Sequence, residues 1–414
     1  MGETYEPVKI IEPAWQTGDL SDRLTDMVRR VFRIEEMVRG DERQGYLMRY
    51  AGQLITEDSE AAYDQLYKQM EPYNVTPLFR WEDKRHAIIL VEGRPKPKAG
   101  NPLVNLILFI LTLMSVALAG WLYQATELPT NFLQAIPQIF VQGLVFAGPL
   151  LLILGTHEFG HYLMGRYHGV HVSLPYFIPF PLSYFGTMGA FINMKEPPKN
   201  RRQLLDIGLA GPLAGLAVAI PVLIIGLLLS DISPLPNSIP RGQALQLEGN
   251  SILYLFLKYL VFGELLPAPA SYGDTPVWLY WLRFFFTGRP IPFGGSDVLL
   301  HPVAWAGWAG ILVTALNLIP AGQLDGGHAM YVLVGRKNAQ RLLPFILAGI
   351  AVLGLFWAGW WLWVALIFFL GRAYAEPLDQ ITPLDAPRRW LALLAIVIFF
   401  LVFTPVPLNV IGAF

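Results

Sequence analysis

Cysteine is absent from this chain of 414 residues, which excludes disulfides, thiolate metal ligands and a cysteine nucleophile. Charge is scarce: Asp, Glu, Lys and Arg make up 15% of residues, against about 25% in an ordinary soluble domain. A water-soluble enzyme of this length could not cover its surface with so few charges, and the 54% of hydrophobic residues points to lipid. Neither sign of charge dominates. The net charge is −1, so no overall field recruits nucleic acid or an anionic surface. Met1–Asp19 has no basic segment followed by an apolar run, so no cleavable signal peptide is expected. No repeat of fixed period stands out.

The charges that are present are unevenly placed. Residues 1–100 hold 33 of the 61, and the other 28 are spread over 314 residues. Residues 1–92 read as a soluble α+β domain. Helical spacing runs over Asp22–Phe32 and Ser59–Met70, and strand alternation over Tyr46–Ile55, with short strands near Thr76–Phe79 and His86–Val91. Residues 93–101, with Pro95, Lys96, Pro97 and Lys98, read as a stiff basic linker.

Apolar segments of a length suited to a bilayer follow. They are Pro102–Tyr123, Ile139–Gly165, Leu204–Leu229, Leu299–Ile319 (resuming to Val334), Leu342–Gly371 and Trp390–Pro405. As one helix the 30 residues of Leu342–Gly371 would measure about 45 Å, too long for one upright span. As a hairpin turning near Gly359, the stretch brings Arg166, Lys199, Arg336, Arg372, Arg388 and Arg389 to the same face as the basic linker. That is the positive-inside pattern, with seven spans and the N-terminus in the cytosol. Residues 230–298 then form a loop on the opposite face, with apolar pieces at Ile252–Phe262 and Val277–Phe286 that read as re-entrant or interfacial. Gly211-Pro-Leu-Ala-Gly215 reads as a small-residue packing face between helices, and Arg201 and Arg202 as part of the positive-inside bias.

Inside the second span stands His157-Glu158-Phe159-Gly160-His161. On a helix, positions four apart share a face, so both imidazoles can reach one zinc ion, and Glu158 can take a proton from the water that the metal activates. Three ionisable residues within an apolar span are costly and need a shared reason. Zinc needs a third protein ligand. A metzincin pattern fails, because His168 and Gly165 are each one place late. His171 lies beyond the span, and Glu196 sits in the basic loop Lys195–Arg202. Asp325 sits where Pro320 and Gly322 break a later span, a place where non-helical backbone must line a cavity or be buried in protein. Depth favours Asp325. His157 precedes Arg166 by nine residues and Asp325 precedes Arg336 by eleven, about 13 and 16 Å from one edge.

With His157-Glu-Phe-Gly-His161 in one span and Asn317-Leu-Ile-Pro320…Leu324-Asp325-Gly326 in a later one, the sequence resembles the site-2 proteases, zinc metalloproteases that cut within the membrane. The resemblance extends through Phe185-Gly-Thr-Met-Gly-Ala190 and Asp206–Gly215 and covers roughly residues 100–375. The N-terminal domain and the stretch around Gly249–Gly263 look closest to the cyanobacterial and plastid branch, and no PDZ domain is expected in residues 230–298.

The resemblance implies one zinc ion held by His157, His161 and Asp325, Glu158 as general base, and Asn317 at the substrate or the developing oxyanion. It implies a single-span membrane protein as substrate. His328, one turn after Asp325, is a candidate to orient that carboxylate. Ser173–Met194 is apolar but broken by proline and glycine, so it cannot be a regular span. Its segment Gly186–Asn193, with Thr187, Met188, Gly189 and Ala190, is a candidate strand edge for extended substrate.

The expectation is an all-α polytopic membrane protein of about seven transmembrane helices, one broken at the active site, with a small N-terminal α+β cytosolic domain. Its boundaries are a core at 102–375 and a last segment at 376–414, in a bacterial plasma membrane or, alternatively, a thylakoid or plastid one. The rival function is a divalent-metal transporter using the same residues as a transit site.

Overall fold

A computed structural model describes residues 18–41, 43–82, 84–95, 100–125, 132–238, 244–292 and 294–412. Residues 1–17, most of the stretch in which no signal peptide is expected, and residues 96–99 of the linker lie outside them. The chain forms two compact units. One comprises Met1–Pro97, Glu196–Arg201 and Glu376–Leu384; the other comprises Lys98–Lys195, Arg202–Ala375 and Asp385–Phe414.

In the first unit, α1 (Gly18–Arg29) and α2 (Ser59–Gln69) share a core with four antiparallel strands. These are β1 (Phe32–Arg39), β2 (Met48–Leu54), β3 (Val75–Glu82) and β4 (Arg85–Glu92), in the order β1-β2-β4-β3. Leu24 and Val28 on α1, and Ala62 and Leu66 on α2, lie four apart and so face the same core. Asp58 starts α2 by accepting the Ala61 N–H at 2.9 Å. The strand β1 has no counterpart in the sequence reading. Its register shifts between Ile34 and Glu36, and the bulge destroys the period-two alternation by which a strand is recognised.

Two short later segments complete this unit. The Phe79 N–H donates to the Leu378 carbonyl at 3.0 Å and the Gln380 N–H to the Phe79 carbonyl at 3.0 Å, which extends the sheet beyond β3. Ile381 enters the core, and the Asp379 N–H joins the two segments by donating to the Lys199 carbonyl at 2.7 Å. The charge boundary at residue 92 gives no hint of this, because six to nine residues are too few to carry a pattern.

In the second unit, α3 (Pro102–Gln124), α4 (Phe132–Tyr167) and α5 (Arg201–Leu228) include stretches long and apolar enough to cross a membrane. The remaining helices are α6 (Ile252–Phe262), α7 (Val277–Thr287), α8 (Pro302–Asn317), α9 (Asp325–Leu353), α10 (Trp360–Leu370) and α11 (Ala386–Val402). Among the described residues three helices, not seven, have the length and hydropathy of a span. The difference lies in the breaks. The chain leaves helical geometry after Asn317 and resumes at Asp325, and α9 breaks again at Gly335, whose φ of 77° no helix accommodates. The Leu342–Gly371 stretch does fold back, with α10 packed on α9 across residues 354–359.

Residues 230–298 carry the short helices α6 and α7 and part of two ribbons. The strand β7 (Asp231–Pro234) pairs with β9 (Ser296–Leu299), and β8 (Ala244–Glu248) pairs with β10 (Leu408–Gly412). Lys258 is tolerated in apolar α6 because its fully buried ammonium lies 3.7 Å from Asp297 and 3.9 Å from Glu248. On the way from α4 to α5, β5 (Tyr176–Pro179) and β6 (Thr187–Phe191) form a third ribbon.

Candidate metal centre

The site is built on α4. His157, Glu158 and His161 are all buried, and the helical turn brings the two imidazole Nε2 atoms within 3.2 Å of each other. Asp325 opens α9, directly after the break, and its Oδ2 lies 3.4 Å from both His157 Nε2 and His161 Nε2. Glycine makes that break possible. A Cβ at Gly326 would fall 2.0 Å from the Leu318 carbonyl oxygen, so the connecting loop folds directly onto the first turn of α9.

These separations fit a metal ion. Four ligands at about 2.0–2.1 Å in a tetrahedron stand about 3.3 Å apart, and the three observed distances of 3.2, 3.4 and 3.4 Å bracket that value. The tautomer fits as well. His161 Nδ1 lies 2.7 Å from the Ile207 backbone oxygen and donates to it, which leaves the Nε2 lone pair facing the Asp325 oxygen. The three side chains could supply three ligands to a four-coordinate ion, which would leave its fourth position for substrate or water.

Around this triad the other expected residues fall into place unevenly. Glu158 accepts the Ile192 N–H, just past β6, while its Oε2 has no partner among the described residues. Asn317, the last residue of α8, places its amide nitrogen 3.3 Å from His157 Nε2. His328 is buried, but its Nδ1 has no hydrogen-bond partner among the described residues, so nothing from that atom orients Asp325. His168 is occupied elsewhere, 3.0 Å from Asp206 Oδ2.

The ribbon forms as an edge. The strand β6 pairs with β5 on one side, and no other described strand pairs with it. Met188 is exposed on it. Gly186 has φ of 73°, and its carbonyl accepts the Ser115 hydroxyl of α3 at 2.5 Å, which ties the turn to a long helix. The Thr187 hydroxyl donates across the ribbon to the Ile178 carbonyl at 2.8 Å.

Sequence reasoning missed the role of α5. Gly211 and Gly215, read as a helix-packing face, pack on the imidazoles themselves. A Cβ at Gly211 would fall 2.1 Å from His161 Nε2, and one at Gly215 would fall 3.2 Å from His157 Nδ1. With Ile207 they form an i, i+4, i+8 row along one face of α5. The motif was legible, but its packing partner was not.

A buried His-Glu-x-x-His helix, completed by a carboxylate from a broken apolar segment, defines a membrane-type metallopeptidase architecture. A model of peptidase family M50 matches residues 145–356, about half of the chain, and the chain belongs to that family. It is 31% identical over 277 residues to "Probable zinc metalloprotease EGY2, chloroplastic" of Arabidopsis thaliana, covering 66% of this chain and 44% of that protein. It is 30% identical over 321 residues to "Probable zinc metalloprotease EGY1, chloroplastic" of the same plant, covering 73% and 53%. The EGY1 protein of Oryza sativa subsp. japonica is 30% identical over 325 residues, covering 74% and 50%. The chain spans about half the length of these curated relatives. No solved structure matches it.

Proposed function

We propose that this chain is an intramembrane zinc metalloendopeptidase. The observation that carries this reading is the convergence of His157, His161 and Asp325 at tetrahedral spacing beside the buried Glu158. Zinc, when bound by these three side chains, supplies Lewis acidity that activates water and polarises the scissile carbonyl. Glu158 takes the proton of the attacking water and returns it to the leaving amine, and its free Oε2 is the atom available for that transfer. The Asn317 amide donates to the oxygen that becomes negatively charged. The β6 edge, through Gly186, Thr187, Met188, Gly189 and Ala190, holds unwound substrate by main-chain hydrogen bonds, because a helical peptide bond is not open to attack.

The substrate is a single-span protein in the bilayer, cut within or near its transmembrane segment. The apolar segments cross that bilayer seven times, with the N-terminal unit on the cytosolic side. The chloroplastic names of the relatives favour the plastid membrane, the alternative expected from the sequence, over the bacterial plasma membrane.

The test pairs metal analysis with cleavage. Purified wild type should hold one zinc per chain and cut a single-span substrate in detergent. His157→Ala and Asp325→Ala should each lose the metal, whereas Glu158→Gln should keep the metal and lose cleavage. If the protein moves zinc across liposomes and cuts nothing, the transporter reading stands instead.

A further inference from the structure

An ion cluster stands beside the metal centre and touches none of its ligands. Asp206 lies in the second turn of α5 with its carboxylate mostly buried. Arg388, in the first turn of α11, grips it with two nitrogens, Nε at 2.8 Å from Oδ1 and Nη2 at 2.7 Å from Oδ2. His168, directly after α4, adds a third contact at 3.0 Å. Arg388 is itself fixed, because Asp385 caps α11 and pairs with its other nitrogen, Nη1, at 2.5 Å. A lone surface ion pair contributes little, but a bidentate pair on a buried carboxylate with further partners has a defined geometry.

The next residue after Asp206 is Ile207, whose carbonyl accepts the His161 Nδ1–H at 2.7 Å. The helix is weak at this point. Pro212 has no N–H, so the Gly208 carbonyl, one residue past Ile207, lacks its usual donor four residues on. A carbonyl next to such a gap in the ladder gains from another restraint if it is to aim at an imidazole. The bonds of Asp206 to Arg388 and His168 supply that restraint from two other elements, α11 and the end of α4.

We propose that Arg388 and Asp206 are positioning residues for the metal site: their bidentate pair holds the Ile207 carbonyl where it fixes the tautomer and direction of His161. The inference rests on the function proposed above only in taking His161 as a metal ligand. It gives Arg388 a purpose beyond its cytosolic charge, and it makes the last helix a part of the catalytic apparatus. The chain from α11 to the metal is then short: guanidinium, carboxylate, one peptide unit, imidazole.

The experiment measures zinc affinity by chelator competition on the full-length protein in detergent, for wild type, Arg388→Gln, Asp206→Asn and the double variant. Loss of an outer hydrogen-bond partner of a ligand histidine costs about 10–100-fold in metal affinity. Each single variant should therefore weaken zinc by at least tenfold, and the double variant should be no weaker than the worse single one, since both cut the same chain. Arg388→Lys keeps the charge but loses the two-pronged grip, and should fall between wild type and Arg388→Gln. In cobalt-loaded protein the ligand-field spectrum should shift in the same order, which a general loss of stability would not produce.

Unchanged zinc affinity and an unchanged cobalt spectrum in folded Arg388→Gln and Asp206→Asn would overturn the proposal. If those two do not fold, Arg388→Lys decides alone: wild-type affinity and spectrum overturn the proposal and intermediate values support it. A wild type that binds zinc at His157, His161 and Asp325 yet cleaves no substrate would count against the proposed function and leave this inference intact.

Discussion

Gly211 lies flat against the His161 imidazole: a Cβ built on it would fall 2.1 Å from Nε2, the ring nitrogen that faces Asp325. Steric exclusion of a single methyl group thus sets how closely α5 approaches the candidate metal site. Gly211→Ala should abolish metal binding while leaving the helix formed, since alanine favours a helix over glycine by about 1 kcal/mol. Gly215→Ala, whose Cβ would sit 3.2 Å from His157 and require it to give by only a few tenths of an ångström, should retain part of the metal. Zinc per chain by elemental analysis, alongside circular dichroism, checks both. A zinc-replete Gly211→Ala would show that the site reshapes freely.

The β6 ribbon makes a separate prediction. Gly186 has φ of 73°, and a Cβ there would fall 2.4 Å from the Ser115 carbonyl oxygen of α3. Gly186→Ala is therefore strained twice, by about 1–2 kcal/mol from its backbone alone, and must push the turn away from α3. The Ile192 amide should retreat from Glu158 with it. Cleavage should fall at least tenfold with zinc content unchanged. Met188→Pro, at an exposed position on the edge, should do the same by removing one main-chain donor. Full cleavage by both variants would leave the edge without a role.

Because the chain has no cysteine, single cysteines report its topology without background. Lys337 and Gly273 are both exposed, the first among the basic residues after the Gly335 break and the second in the loop between α6 and α7. Seven spans with the basic loops on one face place these positions on opposite sides. Lys337→Cys and Gly273→Cys in sealed vesicles should show opposite protection from a membrane-impermeant maleimide. Equal labelling of both from one side would refute the seven-span reading.

The N-terminal unit should respond to acid through His86. Burial holds its imidazole below the ordinary value, and nearby Asp379 opposes that effect without cancelling it. Neutral Nδ1 accepts the Leu54 N–H at 3.2 Å, a bond that protonation removes. Since the folded value lies below the unfolded one of about 6.5, this contribution is present above pH 6.5 and is lost as pH falls through the folded value. Trp81 reports it, its ring 4.5 Å from that of His86. The fluorescence difference between wild type and Trp81→Phe should titrate with a midpoint below 6.5; a midpoint at or above that value contradicts the assignment.

The sequence by itself determined the composition of the candidate metal site. His157, Glu158 and His161 were legible because four residues make one helical turn, and ionisable groups in an apolar span must have partners. Asp325 was legible because a break in such a span must be buried or line a cavity. The uneven charge separated a polar unit from an apolar one, and proline and glycine excluded Ser173–Met194 as a regular span. Each of these signals is local: a spacing, a composition or a forbidden residue.

What the tertiary structure decided is whatever depends on which distant residue arrives. The β1 strand hid behind its bulge at Ile34 and Glu36, and the segments around Lys199 and Asp379 joined the N-terminal unit through main-chain bonds that no side-chain pattern encodes. The Gly211–Gly215 face was readable as a close-packing surface, yet only the fold shows that an imidazole fills it. Arg388 was readable as a cytosolic charge, yet only the fold brings it to Asp206. Partner choice is set by long-range packing geometry, and a sequence read along one dimension does not contain the distances.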